Sequence, residues 1–109
     1  MLQLGDRYIE TDKDGFLKHL ADWDRQVAEH LAAAEGITLA EAHWEVITLL
    51  QKFYQHYEIS PSMRAMVKYI AQEAGKEKGS SMYLLELFPG SPAKLASKIA
   101  GLPRPANCL

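Results

Sequence analysis

From Asp22 onward, helix start and stop signals recur at short intervals, and this punctuation restricts the chain to a set of short, capped helices. Asp22 is a candidate cap for a helix running to about Ala34, with Trp23, Val27, Leu31 and Ala34 on one stripe and Gly36 just beyond its end. Thr38-Leu-Ala-Glu41 is a capping-box pattern for the longest helix, which extends to roughly Tyr57. Val46, Leu50, Phe53 and Tyr57 recur along it at helical spacing, and Leu39, Ile47 and Tyr54 widen the apolar face, so it reads as the central helix. Ser60-Pro61 supplies a cap and a first-turn proline for a third helix, whose stripe is Met63, Met66, Val67, Ile70, Ala71 and Ala74 and whose stop is Gly75. Lys76-Glu-Lys-Gly79 reads as a charged loop. Ser80 or Ser81 opens a short helix to Leu87, ended by Pro89-Gly90. Ser91-Pro92 repeats the start signal for a last helix to Ala100, with Leu95 and Ile99 facing inward and Gly101 terminating it.

Ahead of the helices, residues 2–11 alternate weakly around Gly5-Asp6, the pattern of a small β-hairpin. Asp12-Lys-Asp-Gly15 reads as a turn, with Phe16 and Leu17 anchoring the connection to the core. The expected fold is therefore mainly α: a compact orthogonal bundle of about five helices with a small N-terminal β-hairpin and a flexible C-terminal arm. Residues 1–100 form the single helical domain and residues 101–109 the mobile arm. A chain of 109 residues has room for one modest core.

Composition narrows the function classes. With 48% hydrophobic and 24% charged residues the chain has an ordinary globular make-up. Its longest apolar runs are a few residues, and Met1-Leu-Gln-Leu-Gly-Asp6 lacks signal-peptide character, so neither secretion nor membrane insertion is expected and the cytoplasm is the expected location. The net charge of -2 argues against a generic nucleic-acid binder. Charge is nevertheless uneven: no acidic side chain follows Glu86, while Lys94, Lys98 and Arg104 do, a local bias suited to an acidic partner surface or to weak attraction for RNA.

The only cysteine, Cys108, stands one residue from the C-terminus. It cannot cross-link its own chain, and it excludes both a disulfide framework and a multi-cysteine metal site. Pro103 and Pro105 deny the preceding segment a helix and favour an extended arm, so Cys108 reads either as an incidental tail residue or as a thiol presented to another protein's active site. The thiolate is the reactive form, and an unperturbed cysteine with a pKa of about 8.5 is little ionised at neutral pH. Arg104, four residues earlier, and the i,i+4 pair Lys94 and Lys98 would favour it if the arm folds back; otherwise they are solvated surface charges. Arg64 and Lys68 form a second i,i+4 cationic pair, a pattern that fits either an anion-facing site or a plain wet helix face. His19, His30, His43 and His56 have no ligand spacing, so no metal is expected. No Gly-rich phosphate loop, Ser-His-Asp order or paired-carboxylate motif is present, and no cofactor is expected.

The wording of the tail adds a specific likeness. Leu87-Phe-Pro-Gly-Ser-Pro-Ala-Lys94, Lys98-Ile-Ala-Gly-Leu-Pro-Arg-Pro105 and Cys108 closely resemble the C-terminus of the TusE/DsrC family of sulfur-relay proteins. Upstream, Thr11-Asp-Lys-Asp-Gly-Phe-Leu17, Gly36-Ile-Thr38, His43-Trp-Glu-Val46 and Arg64-Ala-Met-Val-Lys68 extend the resemblance over nearly the whole chain. It implies a sulfurtransferase acting as a persulfide carrier, in which Cys108 takes a terminal sulfur from an upstream, TusBCD-like donor complex. A downstream, MnmA-like tRNA-thiolating enzyme, and its bound tRNA, would then receive that sulfur for 2-thiouridine formation at the wobble position. For DsrC-like members the partners belong to dissimilatory sulfur metabolism. Those members carry a second cysteine at the position that is Ser97 here, so the resemblance leans toward TusE. Arg64-x-x-x-Lys68 lies within a family motif and is implied as a docking site for the tail, its terminal carboxylate or a partner acid. Ser91 and Leu95 depart locally from the pattern. A competing class is DNA binding, with Glu58-Ile-Ser-Pro61 as the turn of a helix-turn-helix and the Arg64/Lys68 helix as reader. An acidic chain offering two cations on that face makes specific DNA an unexpected partner.

Overall fold

The computed structural model describes residues 1–106. Strands β1 (Leu2–Leu4) and β2 (Arg7–Ile9) form an antiparallel hairpin in the register Leu2 to Ile9, Gln3 to Tyr8 and Leu4 to Arg7, closed by the two-residue loop Gly5-Asp6. Five helices follow: α1 (Arg25–Ala34), α2 (Glu41–Tyr57), α3 (Met63–Ala74), α4 (Ser81–Leu87) and α5 (Pro92–Ile99). The mainly α class, the count of five helices and the N-terminal hairpin agree with the sequence reading.

Three helix starts differ from expectation, and a contact with a distant part of the chain accompanies each. Asp24, not Asp22, caps α1: its Oδ1 accepts from the Val27 N–H at 2.9 Å while its Oδ2 meets Arg7 at 2.8 Å. Asp22 belongs to a short 3-10 turn, Leu20–Asp22. At the start of α2 Thr38 gives no cap. His43 Nδ1 instead reaches back to accept from the Ala40 N–H at 3.0 Å, and its Nε2 lies 3.0 Å from the Leu87 carbonyl, tying the start of α2 to the end of α4. Ser62, not Ser60, caps α3 by accepting from the Ala65 N–H, because Ser60 is buried and donates to the Pro103 carbonyl. Ser80 caps α4 as expected.

The core is built from Val27, Leu31, Val46, Ile47, Leu50, Met66, Ile70, Leu84, Phe88, Ile99 and Leu102 with smaller neighbours. Two stripe residues are exposed: Ala34 at the end of α1, and Tyr57, which is 52% exposed with its ring resting on Phe53. The helix at the centre is α5 rather than the longer α2. Short as it is, α5 packs against each of the other four helices. Ala93, Ala96 and Ser97 are buried on it, and side chains this small let neighbouring backbones approach closely. A helix of eight residues has little stability of its own, so its conformation is held by this surrounding packing.

Nor does the body end at Ala100. Gly101, Leu102 and Pro105 are buried, Leu102 completely, so the first part of the expected arm is a packed element of the core.

Candidate functional site at the base of the cysteine arm

Cys108 lies outside the described residues, and the candidate site is the machinery that holds the chain up to Arg104, four residues before it. A helix end leaves its last four carbonyls without partners. At the end of α5 all four find one. Gly101 N–H donates to Lys98 O at 3.1 Å and Leu102 N–H to Ser97 O at 2.9 Å, the paired bonds of a Schellman motif with Leu102 as its buried apolar contact. Trp23 Nε1 then donates to Ile99 O at 2.8 Å, and Gln51 Nε2 to Ala100 O at 3.0 Å. Gly101 is required twice over: its φ is +81°, and a Cβ there would lie 2.6 Å from Trp23 Cδ1. One residue beyond Leu102, the Ser60 hydroxyl takes the Pro103 carbonyl.

Arg104 is then received by the 12–16 turn. Asp12 Oδ1 accepts from the Asp14 and Phe16 N–H groups at 2.8 and 3.0 Å, which holds the turn in shape. Arg104 pairs with Asp14 Oδ2, lies 3.8 Å from Asp12 Oδ2, and places its guanidinium 5.3 Å from the centre of the Phe16 ring. The same turn receives Lys98. A Cβ on Gly15 would be 2.7 Å from Lys98 Cε, so the bare glycine makes room for the lysine stem, whose Nζ goes on to Glu35 at 3.1 Å.

These contacts redistribute the candidate site residues. Lys98 and Arg104 are engaged by carboxylates, so the surplus positive charge of the last quarter is largely matched in space by Glu35, Asp12 and Asp14. Lys94 is half-buried in the first turn of α5 and makes no ion pair among the described residues, so Lys94 and Lys98 do not form a shared free edge. Arg64 and Lys68 are exposed one turn apart on α3 and likewise make no ion pair among the described residues. Lys68 borders a shallow surface concavity with Phe53, Tyr57, Ala65, Tyr69 and Gln72. Among the described residues, no group of three or more His, Cys, Asp or Glu could hold a metal ion, and no helix is long and apolar enough to cross a membrane.

A family model described as DsrC like protein matches residues 3–109, essentially the full chain. The chain belongs to the DsrC-like family. Among curated relatives of that kind, the sulfurtransferase TusE of Yersinia pestis is 51% identical over 109 residues, covering all of both chains. A sulfurtransferase TusE homolog of Haemophilus influenzae is 50% identical with the same complete coverage. Among solved DsrC structures, the NMR structure from Allochromatium vinosum superposes with a TM-score of 0.89 at 39% identity, covering 99% of this chain and 96% of that one. The oxidized γ-subunit of dissimilatory sulfite reductase (DsrC) from Archaeoglobus fulgidus gives 0.84 at 36% identity, covering 99% and 98%.

Trp23, Gln51, Ser60, Asp12 and Asp14 were not legible as site residues. Trp23 read as a stripe residue, Ser60 as a cap and the aspartates as turn formers. The one available signal was the recurrence of Thr11-Asp-Lys-Asp-Gly-Phe-Leu17 among the stretches that resemble the family.

Proposed function

We propose that this chain is a persulfide carrier of a tRNA-thiolating sulfur relay in the cytoplasm, with Cys108 as the carrying residue. In the first step the Cys108 thiolate attacks the outer sulfur of a donor persulfide. The donor's S–S bond breaks, its cysteine sulfur leaves with the electron pair as a thiolate, and a new S–S bond forms on Cys108. The sulfur keeps its oxidation state, so no oxidant is needed. The second step repeats the exchange toward the acceptor enzyme, and Cys108 returns as a thiolate. A TusBCD-like complex is the proposed donor, and an MnmA-like enzyme acting on the wobble uridine of tRNA the proposed acceptor.

The observation that supports this most is the clamp: four contacts from four separate parts of the fold hold residues 99–104, and the chain's only thiol follows four residues later. From Arg104, the last residue the clamp holds, an extended chain of four residues spans no more than about 14 Å, which bounds how far from the clamp Cys108 can be presented. The near-half identity to named TusE sulfurtransferases along the whole chain supports the tRNA branch, as does serine at 97. In this reading Lys98 and Arg104 hold the arm, while Arg64, Lys68 and Lys94 face an acidic partner surface.

Reconstitution with a sulfurated donor complex, the tRNA-thiolating enzyme and unmodified tRNA tests the reading. The wild-type chain should support 2-thiouridine formation and Cys108→Ser should not. Equal thiolation with Cys108→Ser would remove the chain's thiol from the pathway.

A further inference from the structure

We propose that the 12–16 turn is a releasable latch for the cysteine arm, in which Asp14 and Asp12 are positioning residues that set where Cys108 is presented. The proposal deepens the persulfide-carrier reading and rests on it for its functional half.

Two kinds of restraint hold the arm, and they differ in character. Up to Pro103 the restraint is buried: a Schellman turn, two side chains on the last carbonyls of α5, the sealed side chain of Leu102 and the Ser60 hydroxyl. Beyond Pro103 one residue, Pro105, is buried, and the polar restraint is electrostatic and open to solvent. Arg104 and both aspartates remain more than a third exposed, so salt or a competing charge can reach them. The turn is built to receive a guanidinium: Asp12 spends Oδ1 on the backbone of Asp14 and Phe16, leaving Oδ2 directed toward Arg104, while Phe16 offers its ring face. With Arg104 latched, the path of the arm is fixed as far as its guanidinium; with Arg104 released, only the burial of Pro105 holds the chain beyond Pro103, and Cys108 is no longer presented from one fixed base. An acceptor with its own carboxylates near its cysteine would draw Arg104 from the turn as the arm enters.

The test uses the full chain, labelled with 15N, as wild type, Arg104→Gln, Asp12→Asn with Asp14→Asn, and the charge swap Asp14→Arg with Arg104→Asp. In wild type at low salt the amides of Arg104 and Ala106 should have order parameters near the rigid-body value of about 0.85. They should fall below about 0.6 in Arg104→Gln, in the double asparagine variant and in wild type at about 1 M salt. The swap should recover much of the lost order, which simple damage to the turn would not allow. Leu102 should stay rigid throughout. Loading of Cys108 from a sulfurated donor should slow several-fold in the released variants and recover in the swap, while iodoacetamide, a small reagent needing no docking, should alkylate all of them at similar rates. Equal order at Ala106 in all four proteins would overturn the latch, and changed order with unchanged loading would overturn the positioning role. If no protein loads sulfur, wild type included, the carrier reading fails, and the order parameters still decide the latch.

Discussion

Ser97 is fully buried on α5, and its hydroxyl has no hydrogen-bond partner among the described residues. An unpaired buried hydroxyl costs roughly 1–3 kcal/mol, so Ser97→Ala should be neutral or should stabilise by up to about 1 kcal/mol in denaturant melts. A loss of stability would show that the hydroxyl has a partner. Burial also bears on Ser97→Cys. The new thiol would be fully buried, so a bridge to Cys108 has to wait for the packing around α5 to open. Bridging under mild oxidation should be slow in Ser97→Cys and no faster when Arg104→Gln is added, because releasing Arg104 leaves Leu102 packed; a clear acceleration on non-reducing gels would mean that the latch also holds the packed base of the arm. At Gly101, alanine meets both an unfavourable φ and the Trp23 ring, and should cost about 1–3 kcal/mol while loosening the indole from Ile99. An unaltered melting midpoint would contradict the account of this turn.

At the level of elements, all five helices were legible because caps and apolar stripes are local signals. Their starts were less so. Asp22, Thr38 and Ser60 are each of a capping residue type, and which residue caps is decided by distant partners such as Arg7, Leu87 and Pro103. The centrality of α5 was illegible for a related reason: burial of Ala93, Ala96 and Ser97 is a property of what surrounds them, and small residues give a weak stripe. Asp24 caps α1, and its carboxyl is held below the usual carboxylate range chiefly by the Val27 N–H and further by Arg7. Asp24→Ala should cost about 1 kcal/mol at neutral pH. Because the folded-state pKa is depressed, this contribution is present above the unfolded value of about 4 and disappears as pH falls through the folded one, so wild type and variant should converge in acid melts. The arm divides at the same level. Leu102→Ala should cost about 2–5 kcal/mol, like Leu50→Ala, whereas removing residues 104–109 deletes the buried Pro105 and exposed ion pairs worth at most about 1 kcal/mol each. A larger loss from the truncation than from Leu102→Ala would mean that the segment after Pro103, and not Leu102, is the main anchor of the arm.

On the scale of the whole molecule, the basic C-terminal quarter is a feature of the linear chain more than of the folded surface. Glu35, Asp12 and Asp14, all from the N-terminal third, answer Lys98 and Arg104. Arg64 and Lys68 remain exposed on α3, so reversing both to glutamate should leave the unfolding free energy within about 1 kcal/mol of wild type while slowing partner-dependent transfer at low salt. Unchanged transfer would return the pair to an ordinary helix surface. The thiol itself was legible from its place in the chain, while the clamp behind it depends on contacts between residues as far apart as 14 and 104. The central claim is that Cys108 carries sulfur, and the most direct measurement is the intact mass of the chain after incubation with a sulfurated donor. Wild type should gain one sulfur atom, lost again on treatment with a reducing thiol, and Cys108→Ser should gain none. An unchanged wild-type mass, or the same gain in Cys108→Ser, would contradict the account.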